Sequence, residues 1–173
     1  GKAYVAGGIG PGGLAAATLV FDPASGWSSA PGLPVPREHL GVAASGGRIY
    51  AVGGRAPSNL GNADVFDPGS LTWSALPALP TARGGLAAAA TANGFVVAPG
   101  GEAEETFEEA EAFDTAEGRW LSLPPLPTAR HGLGVVAVGC RVYVVAGGPK
   151  PGFAFSGANE SIDLSPLRDC PRG

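Results

Sequence analysis

LGVAASGGRIYAVGG, residues 40–54, decides the fold. Its first half (40–45) is small and apolar, Gly46-Gly47 interrupt it, and a second apolar run (48–52) stops at Gly53-Gly54. Two short apolar runs joined by a glycine pair read as an antiparallel hairpin. Beyond a polar loop at 55–61, the segment ADVFD (63–67) alternates, Pro68-Gly69-Ser70 turns the chain, and a fourth run over 72–76 contains Trp73. Residues 37–77 therefore read as four short antiparallel strands in chain order.

The same punctuation recurs along the chain. Glycine doublets stand at Gly7-Gly8, Gly53-Gly54, Gly100-Gly101 and Gly147-Gly148, spaced by 46, 47 and 47 residues. Trp27, Trp73 and Trp120 keep that step, as do Arg37, Arg83 and Arg130. The third unit parses like the second, with strands expected over 85–91, 94–98, 108–113 and 119–123. Radial repetition of four-stranded antiparallel sheets is a β-propeller. Residue types agree with that architecture. The first two strands of a unit are apolar on both faces, as a sheet sandwiched between neighbours requires. Ala and Gly dominate the innermost strand, where blades converge, and Phe21, Phe66, Phe113 and the tryptophans lie further out, where rings can fill the widening gaps.

Taken together, the doublets preceded by tyrosine-bearing strands (Tyr4, Tyr50, Tyr143), the Phe-Asp pairs and the tryptophan six or seven residues later resemble kelch repeats. The likeness covers nearly the whole chain. It departs in the third unit, where Val96-Val97 replace the tyrosine and Pro99 precedes the doublet. No tryptophan is paired with aspartate as in WD40 repeats. The resemblance implies an all-β, kelch-type β-propeller of which about four blades are present. These are a partial blade at 1–30, blades at 37–77 and 83–123, and a partial last blade at 130–164, followed by a tail at 165–173. The first lacks its innermost strand and the last its outermost. Since kelch rings have about five to seven blades, the expectation is a ring of about six, with further N-terminal blades of the same chain upstream.

Composition narrows the function classes. The net charge of −4 provides no basic footprint for nucleic acid. The longest apolar run, around 142–146, has strand length and falls far short of the ~20 residues of a membrane-spanning helix. The 29 glycines and 17 prolines fall at fixed phases of the repeat, as turn residues rather than linker.

Antiparallel connectivity puts the links entering strand one and the loops leaving strand two at the same end of each blade. That end holds the variable segments 9–16, 55–61, 102–107 and 149–157, and variable loops on a rigid scaffold are where binding is built. Arg37, Arg83 and Arg130 recur at the start of strand one. They are either a converging anion site or a repeated scaffold device bonding loop carbonyls. Arg55 occurs once, after a doublet, and is a ligand candidate at the same end. His39 and His131 stand two and one residues beyond their arginines, in a spacing that matches no metal motif, so no metal or cofactor is expected. Six glutamates between Glu102 and Glu111 form a solvated, mutually repelling acidic loop, with attraction of a basic partner or a hard cation as the alternatives. Cys140 and Cys170 are placed so that a disulfide could pin the tail, which would favour an oxidising, extracytoplasmic setting; two free thiols are the alternative.

No nucleophile elbow or phosphate loop occurs. The expected function is a non-enzymatic module binding a protein or carbohydrate ligand on the variable face. The alternative is a propeller enzyme acting on an acidic sugar, with Arg130, His131, Glu38 and His39 on the channel rim.

Overall fold

A computed structural model describes residues 1–171; the last two residues of the expected tail, 172–173, lie outside it. All regular structure among these residues is β. The first sheet joins β1 (Ala3–Ala6), β4 (Thr18–Asp22) and β5 (Gly26–Ala30), and a small hairpin of β2 (Ile9–Gly10) and β3 (Gly13–Leu14) projects from it, within the segment 9–16 expected to be loop. The second has four strands, β6 (Gly41–Ser45), β7 (Arg48–Val52), β8 (Ala63–Asp67) and β9 (Thr72–Ala75). The third is β10 (Ala89–Ala90), β11 (Phe95–Pro99), β12 (Ala110–Asp114) and β13 (Arg119–Ser122). The fourth is β14 (Gly134–Val138), β15 (Arg141–Val145) and β16 (Asn159–Asp163). Neighbouring strands in each sheet pair antiparallel and in chain order, so the sheets are propeller blades. The innermost strand of the third blade is shorter than the 85–91 expected. Gly85 turns its backbone to the neighbouring blades instead, its N–H donating to the His39 carbonyl and its own carbonyl accepting from Gly132.

Burial follows the sandwich logic. Every residue of β11 and β12 in the third blade is buried. Val96 packs with Tyr50 of the second blade, while Phe95 and Val97 pack with Val142 and Val144 of the fourth. Register places each phenylalanine opposite its tryptophan, Phe21↔Trp27, Phe66↔Trp73 and Phe113↔Trp120, with ring centroids 5.2–5.3 Å apart. Tyr4 and Tyr50 then reach Phe66 and Phe113 of the following blade at 6.2 and 6.3 Å. Trp73 and Trp120 donate their indole N–H to Pro31 and Pro77, which end the preceding blades, at 2.9 and 2.8 Å. Each aromatic set thus ties one blade to the next.

The tail closes back over the tight-turn end. Cys140 and Cys170 are bonded, with Cα atoms 5.8 Å apart and a sequence separation of 30. Arg168 forms a two-pronged pair with Asp114 of the third blade at 2.8 and 2.7 Å, and its guanidinium lies 4.9 Å over the Phe95 ring. Asn93 donates to the carbonyls of Leu164 and Arg168. A bond closing a loop of this length restricts the unfolded chain by about 3–4 kcal/mol. Reduction, or Cys140→Ser/Cys170→Ser, is expected to lower unfolding stability by a comparable amount, read from denaturant melts beside intact masses with and without reductant.

Candidate functional site

The three recurrent arginines are wholly buried. Arg83 donates from Nε to the Gly100 carbonyl (2.7 Å), from Nη2 to Ala98 (2.6 Å) and from Nη1 to Thr81 (2.7 Å), and pairs with buried Glu111. Arg37 makes the same set with Gly53, Ala51 and Val35, and its Nη2 lies 2.8 Å from Asp64 Oδ2. Arg130 bonds Thr128 and Val144 and pairs with Glu160. Each guanidinium stitches strand two to strand three within its own blade. Ligand contact by Arg37, Arg83 and Arg130 is therefore replaced by a scaffold role, since a side chain with no exposed surface offers nothing to an incoming anion; of their guanidinium nitrogens, only Arg130 Nε is left without a partner.

The backbone of these arginines has a second task. The N–H groups of Gly8, Gly54 and Gly101 donate to the carbonyls of Arg37, Arg83 and Arg130 in the following blade. The first glycine of each doublet makes that approach possible, because a Cβ at Gly7, Gly53 or Gly100 would stand 2.5–2.6 Å from the same arginine carbonyl. Hydrogen bonding also corrects the fourth doublet. The N–H groups of Gly7, Gly53, Gly100 and Ala146 play one role, donating to Ala17, Asn62, Glu109 and Ala158. Ala146, at φ 55°, holds the first-glycine place, and Gly147 the second.

Arg55, Glu102 and Gly148 are consequently equivalent positions at the variable end, each bridged to the residue after its blade's arginine (Glu38, Gly84 and His131). Arg55 extends across the third blade to pair with Glu102. Gly84 permits this crossing, since a Cβ there would meet Arg55 Cγ at 2.5 Å. The other Glu102 oxygen accepts from the Gly152 N–H at 3.1 Å and lies 3.3 Å from His131 Nδ1, while His131 Nε2 donates to the Lys150 carbonyl at 3.0 Å. Asn59 completes the join, donating to the Glu102 carbonyl and accepting from the Gly84 N–H. The network therefore spans three blades and fastens the loops 55–61, 102–107 and 149–157 to one another. His39 stands apart, paired with its neighbour Glu38 at 2.9 Å.

Arg55 and His131 were candidates on sequence, and Glu102 appeared only as one of an acidic run. Asn59 was missed altogether, and no local pattern marks it. Burial pushes the Glu102 carboxyl up, and the bonds from Arg55 and Gly152 with the charges of His131 and Arg55 more than offset it, leaving it below the ordinary glutamate range. A carboxyl depressed in the folded state contributes stability above its unfolded pKa of about 4.3 and loses it as pH falls through the lower folded value. Glu102→Gln is expected to lower stability at pH 7 by about 1–3 kcal/mol and to flatten the acid limb below about pH 4. Thermal melts of both proteins from pH 7 to 3 check this; parallel acid limbs would remove Glu102 from the account.

Among the described residues no group of His, Cys, Asp and Glu is arranged to hold a metal ion, and no helix is long and apolar enough to cross a membrane. The Kelch motif matches residues 36–80, the whole of the second blade. No curated protein matches the chain.

Proposed function

We propose that the chain, whose second blade matches the Kelch motif and whose other blades repeat its pattern, is a kelch-repeat, non-enzymatic interaction module whose variable-loop end receives a protein partner. The observation that carries this reading is the Arg55–Glu102–His131 network, which joins loops of three blades into one composite surface. Its charged groups pair with one another, so they hold the loops in place and leave contact to the residues the loops display. Kelch repeats generally mediate protein interactions, and the opposite end consists of tight turns, as at 46–47 and 68–71. The residues offered to an acidic-sugar enzyme do not converge: Arg130 is buried, Glu38 and His39 pair with each other, and His131 faces Glu102 and Lys150.

The test compares the two ends. Partners are captured by cross-linking from the native source, and their affinities measured for the protein with Gly/Ser replacements of exposed side chains at 103–106 and 150–155, or in the turns at 45–48 and 116–118. The loop set is expected to weaken binding at least tenfold and the turn set to leave it unchanged. Equal sensitivity of the two ends would discard the reading, and saturable binding to a glycan array alone would make the ligand a carbohydrate.

A further inference from the structure

Two phenylalanines stand on the loop 149–157 with their rings in solvent. Phe153 is 112% and Phe155 94% exposed, the most exposed large apolar side chains among the described residues. The loop that carries them is anchored. Gly152 donates to Glu102 and His131 to the Lys150 carbonyl, and Ala146 donates to Ala158. The Ala154 carbonyl lies where a Cβ on Gly148 would be, at 2.5 Å. A pair of fully exposed aromatic rings on a fastened loop is a costly display for a lone surface, and it costs little rotamer freedom when a partner covers it.

The neighbouring loop supplies the charge. Thr106 donates to the Pro149 carbonyl at 3.3 Å, so the loops 102–107 and 149–157 touch. Beside this contact is an open concavity of about 790 Å³ whose lining includes Glu104, Glu105, Glu108 and Glu109, with Phe107 and Ala129. Glu104, Glu105 and Glu108 are exposed. The segment 101–118 contains no lysine or arginine. Lys150 is the one cation on the aromatic loop. Room for several side chains, an acidic wall and two protruding rings fit one kind of occupant better than any other.

We infer that the surface formed by Phe153, Phe155 and the glutamates at 104, 105, 108 and 109 docks a basic protein segment in which Lys or Arg alternates with apolar side chains. The apolar side chains cover the two rings and the cations lie along the acidic wall, where opposite charge fixes register and speeds encounter. This rests on the interaction-module reading and specifies the partner chemistry for the same loops.

The probe is a library of random 12-residue peptides displayed on phage, selected against the full chain. Peptides rich in Lys or Arg with interspersed apolar residues are expected to be enriched. Their synthetic forms should bind at least tenfold more weakly to Phe153→Ala/Phe155→Ala, several-fold more weakly to Glu104→Gln/Glu105→Gln, and more weakly as salt rises from 50 to 200 mM. A second selection against Glu104→Lys/Glu105→Lys should turn the enriched peptides from basic to acidic. Enrichment of neutral or acidic peptides that still depend on Phe153 and Phe155 overturns the basic-partner inference and leaves the module reading standing. Failure to recover any binder sensitive to these loops overturns both.

Discussion

Gly100→Ala is expected to destabilise the protein by about 3–4 kcal/mol, although it adds a single methyl group. Two costs combine. Gly100 has φ 65°, a left-handed conformation that charges an L-residue about 1–2 kcal/mol. The added carbon would also stand 2.5 Å from the Arg130 carbonyl and 2.6 Å from Leu133 Cδ2, and the neighbouring blade must yield at a cost of about 1–3 kcal/mol. Gly118 isolates the first of these, having φ 67° and nothing within 4 Å of a Cβ. Gly118→Ala should therefore cost only about 1–2 kcal/mol. Urea denaturation of the two variants reads the difference directly, and equal losses would show that blade-to-blade approach is not what the doublet secures.

The second large effect concerns Arg83. Arg83→Met keeps much of the volume and removes the cation from Glu111, which is 4% exposed, as well as the donors to Gly100, Ala98 and Thr81. Breaking a buried pair from one side costs about 3–5 kcal/mol, because a charge is left without compensation. Removing both charges is far milder, so Arg83→Met/Glu111→Leu should recover a large part of the loss. The coupling from a double-mutant cycle measures the pair itself. A single-variant loss below about 1 kcal/mol would contradict the strut role drawn from the burial.

Much of the fold was legible because it is set locally. The turn at Pro68-Gly69-Ser70 fixes the β8–β9 register, and with it the meeting of Phe66 and Trp73. The kelch likeness and the antiparallel blades follow from such repeated local choices. The arginines were harder, since recurrence by itself is compatible with scaffold or site. Their acids were also in the sequence, Asp64, Glu111 and Glu160, at 27, 28 and 30 residues after the respective arginines, and an acid on strand three in every unit points to an internal pair. The join of Arg55, Glu102, Asn59 and His131 was not legible, because it depends on the angle between blades and on Gly84 leaving space for a side chain from the second blade. The even doublet spacing was misleading for a countable reason. The step from the arginine to the first-glycine place is 16 residues at Gly53, 17 at Gly100 and 16 at Ala146, so the pair Gly147-Gly148 keeps rhythm while slipping one position.

That slip gives the series a direction. Wherever one blade is followed by another here, a bare backbone lets the follower's arginine carbonyl nestle in; at Ala146 a methyl group occupies the spot. The exposed flank of the fourth blade is thus keyed differently from the three seams before it. A body seated against the fourth blade as its predecessors are seated would meet that methyl where they meet bare backbone.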